Sequence, residues 1–213
     1  MGYQVVGDTY ARLGDYATAI QTYRQGLEAG QKGFWDPDLV HRMGLAYYTS
    51  GRKAEGARLI QQGLDDATRT GLRTIFLYAQ ISRLHLLVSE KNWEKATSLA
   101  LELQMEGFKT EMPLVRLQST ILLGEIAIQT GDVQQGLVHL LSAADEATRI
   151  PLIWVAIPAW VKLAELAKQP GLSDPSARTR AEVLIQRLAA CSRQPKIRSL
   201  SEAYQKELLG RII

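Results

Sequence analysis

The chain has 213 residues, 46% of them apolar, a net charge of +3 and one cysteine, Cys191. That length suffices for one sizeable core or one repeat array; the lone cysteine excludes a disulfide framework and a multi-thiolate metal site, and the small net charge is too weak for a dedicated nucleic-acid binder. No apolar run approaches the roughly 18 residues that cross a bilayer, and Met1-Gly2-Tyr3-Gln4 lacks the basic start and apolar stretch of a signal peptide, so a cytoplasmic protein without a membrane partner is expected.

Tyr3, Val6, Gly7 and Tyr10 recur at the spacing of one helix face and predict a helix over 2–13. Gly14-Asp15 then breaks it: glycine tolerates positive φ, and Asp15 can cap the next helix, 16–30, whose inner face is Ala19, Tyr23 and Gly26. Val40, Met43, Gly44 and Tyr47 predict a helix over 38–50; Gly51 ends it, and Gly56, Ile60 and Gly63 define 53–70. Leu77, Ile81, Leu84 and Val88 give 74–90, followed by 93–106, with Trp93 expected in the core. Leu117, Ile121, Gly124 and Ile128 give 113–129, followed by 133–149. A more degenerate pair spans 152–168 and 175–192; Pro158 either kinks the first of these or marks its true start. The stretch Pro170 to Pro175 is a loop in which Asp174 can cap and Pro175 fits the first helical position. Ser199 to Leu209 makes a last helix, polar on one side through Glu202, Lys206 and Glu207, as an end cap should be. No segment alternates with period two, and no sheet is expected.

Four of the breaks share a phrase. Gly14-Asp15-Tyr16-Ala17 and Gly131-Asp132-Val133-Gln134 are its clear forms; Gly51-Arg52-Lys53-Ala54 and Lys91-Asn92-Trp93-Glu94 are weaker ones, so the first positions are 37, 40 and 40 residues apart. A second register agrees: Ala67-Thr68-Arg69-Thr70-Gly71-Leu72 matches Ala147-Thr148-Arg149-Ile150-Pro151-Leu152 at an offset of 80, two units of 40. A fixed period of this size means stacked helix pairs and a surface for holding another molecule. Gly7, Gly44 and Gly124 occupy one register position; glycine inside a helix costs about 1 kcal/mol relative to alanine, so a close helix approach is expected to offset it.

These residues resemble the tetratricopeptide repeat. Tyr3, Val6-Gly7, Tyr10, Gly14-Asp15-Tyr16, Ala19, Tyr23 and Gly26 follow the family pattern closely in the first unit; Gly124, Gly131-Asp132, Gly136 and Ala143 carry it in the fourth. The usual period of the family is 34, and the longer units here look like the C-terminal repeat arms of bacterial signalling ATPases and maltose-regulator-type transcription activators. A HEAT-type solenoid has a similar period but does not predict the Gly-Asp-Tyr phrase. The resemblance implies an all-α, right-handed α-solenoid of antiparallel helix pairs. The expected domain is a single solenoid over residues 1–213, with about five repeats at 2–36, 37–73, 74–112, 113–150 and 151–192 and a cap at 198–210. The first repeat has no capping helix before it, so either the chain is cut from a longer one, the expectation favoured here, or that face meets a partner or a second copy.

No catalytic, cofactor-binding or metal constellation stands out. His41 and His85 fall on first helices of adjacent units with no further ligands nearby in the pattern, and His139 reads as structural. From Ser176 onward eight basic residues face three acidic ones, which suits a solvated cap better than a phosphate patch. By the family resemblance, the concave groove is lined by Gln4, Asp8 and Arg12; His41, Leu45 and Tyr48; Ile81, His85 and Val88; and Ile121, Glu125 and Ile128. That lining is apolar with a few polar groups, which suits a peptide or protein segment more than a nucleic acid. A non-enzymatic interaction module is therefore expected, with a protein, a peptide or other domains of a parent signalling protein as its partner; a regulatory arm sensing a small molecule is the alternative.

Overall fold

A computed structural model describes residues 2–30, 36–168, 175–189 and 195–212; Trp35, Asp174 and Cys191 lie outside the described residues. The described residues contain eleven helices and no strand. They are α1 (Gly2–Arg12), α2 (Tyr16–Ala29), α3 (Asp36–Thr49), α4 (Lys53–Arg69), α5 (Arg73–Ser89), α6 (Trp93–Lys109), α7 (Pro113–Gln129), α8 (Val133–Arg149), α9 (Ile153–Leu166), α10 (Pro175–Ala189) and α11 (Pro195–Ile212). The chain is all-α and repetitive, as its pattern predicts. It divides into two compact units, Met1–Asn92 and Trp93–Ile213.

One corner geometry recurs at seven of the connections between successive helices. Gly14, Gly51, Gly71, Lys91, Glu111, Gly131 and Pro151 all have positive φ. In each corner the next residue's N–H donates to a carbonyl five residues back: Asp15 to Tyr10, Arg52 to Tyr47, Leu72 to Ala67, Asn92 to Leu87, Met112 to Gly107, Asp132 to Ala127 and Leu152 to Ala147, all at 2.8–2.9 Å. This is the 6→1 bond of a Schellman cap, which satisfies a carbonyl that the ending helix leaves orphaned. The same residue then starts the following helix, and where it is Asp it also caps: Asp15 accepts from the Thr18 N–H and Asp132 from the Gln135 N–H, each at 3.1 Å. From residue 51 onward the left-handed position recurs every 20 residues, because α4 to α8 are each 17 residues long and each corner takes three.

In the first unit α2 packs against α1 and α3, α4 against α3 and α5, and α3 also lies beside α5. Tyr23 and Ile60 are almost wholly buried there. Backbones come closest where α3 crosses α4. A Cβ on Gly56 would stand 2.5 Å from the Tyr48 nitrogen and 2.6 Å from the Gly44 oxygen, so both glycines are needed for the crossing. In the second unit α7 packs between α6 and α8, and α9 between α8 and α10, with α11 closing on α9 and α10. Trp160 is fully buried there; its indole N–H donates to Thr148 Oγ1 at 3.0 Å and the Arg180 guanidinium stacks over its ring. Gly124 and Gly136 repeat the α3–α4 crossing in α7 and α8, 80 residues later.

Several local expectations are refined. Pro158 lies inside α9 and does not mark its start. Trp93, expected in the core, is only half-buried, because it is the first residue of α6. Pro175 does open α10. The last helix begins at Pro195, not residue 199, with proline at a position where its missing N–H costs nothing. Among the described residues no helix is long and apolar enough to cross a membrane.

Candidate functional site

The twelve groove positions separate into rows by burial. His41, Ile81 and Ile121, which share one register 40 residues apart, are all buried. Leu45, His85 and Glu125 form the next row and are half-buried. In the third row Tyr48 is buried while Val88 and Ile128 are half-buried. Gln4, Asp8 and Arg12 on α1 are half-buried as well. The first unit carries these rows on α1, α3 and α5; the second carries its share on α7.

Asp8 and His41 do not stand free. The Tyr23 hydroxyl donates to Asp8 Oδ1 at 2.6 Å, and Arg42 donates to Asp8 Oδ2 at 2.7 Å and through Nε to Asp38 Oδ1 at 3.0 Å. His41 Nε2 lies 3.2 Å from that same Asp38 oxygen and Nδ1 lies 3.0 Å from Ser82 Oγ. The network ties α1, α2, α3 and α5 together. Burial alone would raise Asp38; the bond from His41 and the charge of Arg42 outweigh it and hold the carboxyl below its usual range. Burial pushes His41 down, with Asp38 partly offsetting it, so the imidazole is neutral near pH 7. Burial, then the adjacent Asp8 carboxylate, pushes the Tyr23 phenol up.

Asp38, His41 and Ser82 thus form the acid–imidazole–hydroxyl sequence that nucleophilic enzymes use. Each is at most 3% exposed, so no substrate reaches the hydroxyl, and the arrangement acts as a fastener between α3 and α5. What stays accessible on this side of the first unit is Leu45, His85 and Val88, bordered by Glu90, whose carboxylate accepts from the Tyr48 hydroxyl at 3.4 Å. Burial pushes His85 down to about 4. On α7 burial raises Glu125, and Lys162 of α9 partly offsets this. In each unit these side chains offer apolar contacts and a few hydrogen-bonding groups. Among the described residues no group of three or more His, Cys, Asp or Glu side chains could hold a metal ion.

The second unit has a concavity on the side of its even-numbered helices. A cavity of about 490 Å³ lies between α6 and α8 with α7 as its floor. Met105, Phe108, Leu117, Val138 and Ala143 form its apolar wall. Arg116 donates both terminal nitrogens to the Glu146 carboxylate across it, and Gln104 Nε2 donates to Thr120 Oγ1 at 2.8 Å.

The family model of the tetratricopeptide repeat matches residues 2–29. The matched segment is α1 and α2, the first helix pair with its Gly14-Asp15 corner. Tetratricopeptide repeats generally mediate protein–protein interaction. No curated protein matches the chain.

The α6–α8 cavity is absent from the tetratricopeptide-derived site, because the family pattern points to the first helix of each pair. A signal for it exists in the sequence. Leu101, Met105 and Phe108 form a second apolar stripe on α6, beside the buried stripe of Leu99 and Leu103; the positions 40 residues earlier, on α4, hold Gln61, Asp65 and Thr68. Comparing repeats at equal register isolates this stripe, whereas the periodicity of α6 alone does not.

Proposed function

We propose that this chain is a non-enzymatic protein-interaction module that holds a peptide or protein segment on the odd-numbered helices of its units. The observation that carries the reading is the pair of register rows Leu45/His85/Glu125 and Tyr48/Val88/Ile128. The same two positions, one turn apart, recur on α3, α5 and α7 and are left partly accessible on all three helices except at Tyr48, where the phenol turns to Glu90. Within the first unit α3 and α5 lie side by side and present Leu45 with His85 and Tyr48 with Val88, a repeated set of apolar and hydrogen-bonding groups that fits an extended or helical polypeptide, which presents side chains at a fixed spacing of its own. The family match over the first helix pair supports the same class of function. The resemblance of the 40-residue units to the repeat arms of signalling ATPases and maltose regulators supports work within a larger regulatory protein.

The test is selection of binding peptides from a displayed library against the immobilised chain, followed by Leu45→Glu, Val88→Glu and Ile128→Glu. Peptides selected by the native chain should lose about tenfold or more in affinity for at least one of these variants. Peptides that bind all three variants as well as the native chain would refute the assignment.

A further inference from the structure

The apolar stripe on α6 faces solvent. Phe108 is 75% exposed, Met105 58% and Val138, across the trough on α8, 61%. Leu101 continues the α6 row one turn earlier, and Leu141 lies one turn beyond Val138 on α8; both are also exposed. Isolated exposed apolar residues are ordinary, but here Met105, Phe108 and Val138 line one trough and Leu101 and Leu141 are exposed on the same two helices, together on the order of 500 Å² of apolar surface, the size that marks interaction sites on monomers.

We propose that this face pairs with the same face of a second copy of the chain. Its shape is self-complementary. Phe108 is at once the most exposed large apolar residue of the described chain and a wall of the 490 Å³ cavity. A projecting ring beside a hole that can receive one is what a two-fold axis requires: Phe108 of each copy enters the other's cavity between Met105, Leu117, Val138 and Ala143. The charges permit it. A surface that meets itself is penalised by any unbalanced charge, because like meets like. Here Arg116 is neutralised by Glu146 and Lys109 by Glu106 at 3.5 Å. The area suits a weak dimer. Counted on both copies, about 1,000 Å² of apolar surface is available, above most lattice contacts and just below the roughly 1,200 Å² of standard interfaces. This pairing uses α6, α8 and the side of α7 that floors the cavity, and is independent of the rows that hold Ile121, Glu125 and Ile128.

The test is sedimentation velocity of the full chain over a hundredfold concentration range, native and with Phe108→Asp or Val138→Lys. Both side chains are exposed, so helical circular dichroism should be unchanged, as should melting at concentrations low enough for the native chain to be monomeric. The native chain should form dimers, and each variant should raise the dimer dissociation constant about thirtyfold or more. A native chain that stays monomeric throughout overturns the proposal and leaves the patch to a different partner or to a small apolar ligand. Dimers that persist undiminished in both variants overturn it by placing the interface elsewhere. Peptides selected against the native chain should still bind the Phe108→Asp monomer, which separates failure of this pairing from failure of the peptide-binding reading.

Discussion

Asp8 on α1 and Arg42 on α3 are 34 residues apart in sequence and meet at 2.7 Å. Through that contact the first helix pair is locked to the second, and Arg42 is shared with Asp38. Arg42→Met would leave two largely buried carboxylates without their cation. It should cost about 3 kcal/mol in urea unfolding followed by circular dichroism. Asp8→Asn keeps an acceptor for the Tyr23 hydroxyl and should cost less, about 1–2 kcal/mol.

The α3–α4 crossing predicts a contrast between glycines. Gly56→Ala would drive a methyl group into the backbone of Tyr48 and Gly44, which cannot swing aside, and should destabilise by about 3 kcal/mol. Gly210 on α11 has open space around it, so Gly210→Ala should stabilise by about 0.5–1 kcal/mol through helix propensity alone. Melting of the two variants side by side checks both signs.

Corner residues give a second contrast. Lys91 and Glu111 hold φ values of 57° and 53° with a Cβ that this region disfavours. Lys91→Gly and Glu111→Gly should each raise stability by about 0.5–1 kcal/mol. Gly51→Ala, at φ 98°, should lower it by about 1 kcal/mol or more. Effects of the same sign at all three positions would mean that the left-handed backbone does not decide the preference for glycine.

Much of the fold is legible in the sequence because the corners carry glycine where they can. Gly14, Gly51 and Gly131 announce three of them, and the match of residues 67–72 with 147–152 finds two more. Lys91 is visible only by its spacing and Glu111 not at all, since the left-handed residue is held by the Schellman bond rather than chosen for its type. The same gap explains α6, which the pattern ends at 106; Gly107 continues the helix and packs against the Arg116 backbone. The candidate site is less legible. That His41 is sealed depends on Asp38, three residues before it, and on Ser82, 41 residues after it, and periodicity gives no hint of that pairing. Side chains at equal register differ in burial according to which neighbouring helix leans over them, and this is a tertiary property.

His85 titrates at about 4 and His41 below its ordinary value, both because of burial, against roughly 6.5 in an unfolded chain. Between those values the unfolded chain binds more protons than the folded one, so stability falls as pH falls from about 6.5 towards 4. Glu125 is shifted upward and opposes this in the lower part of that window. The His85 shift alone makes the chain about 2 kcal/mol less stable at pH 5 than at pH 7. His85→Gln should remove that contribution, read from urea midpoints at the two pH values.

The central claim is that partners contact the odd-numbered helices. It is tested most directly by placing a photocrosslinking phenylalanine analogue at position 88 on α5 or at position 58 on the exposed side of α4, then irradiating cells that contain the chain. The account predicts polypeptide adducts from position 88, sharply fewer from position 58, and loss of the former when Leu45→Glu is added. Adducts that form equally at both positions, or at 58 alone, would contradict it.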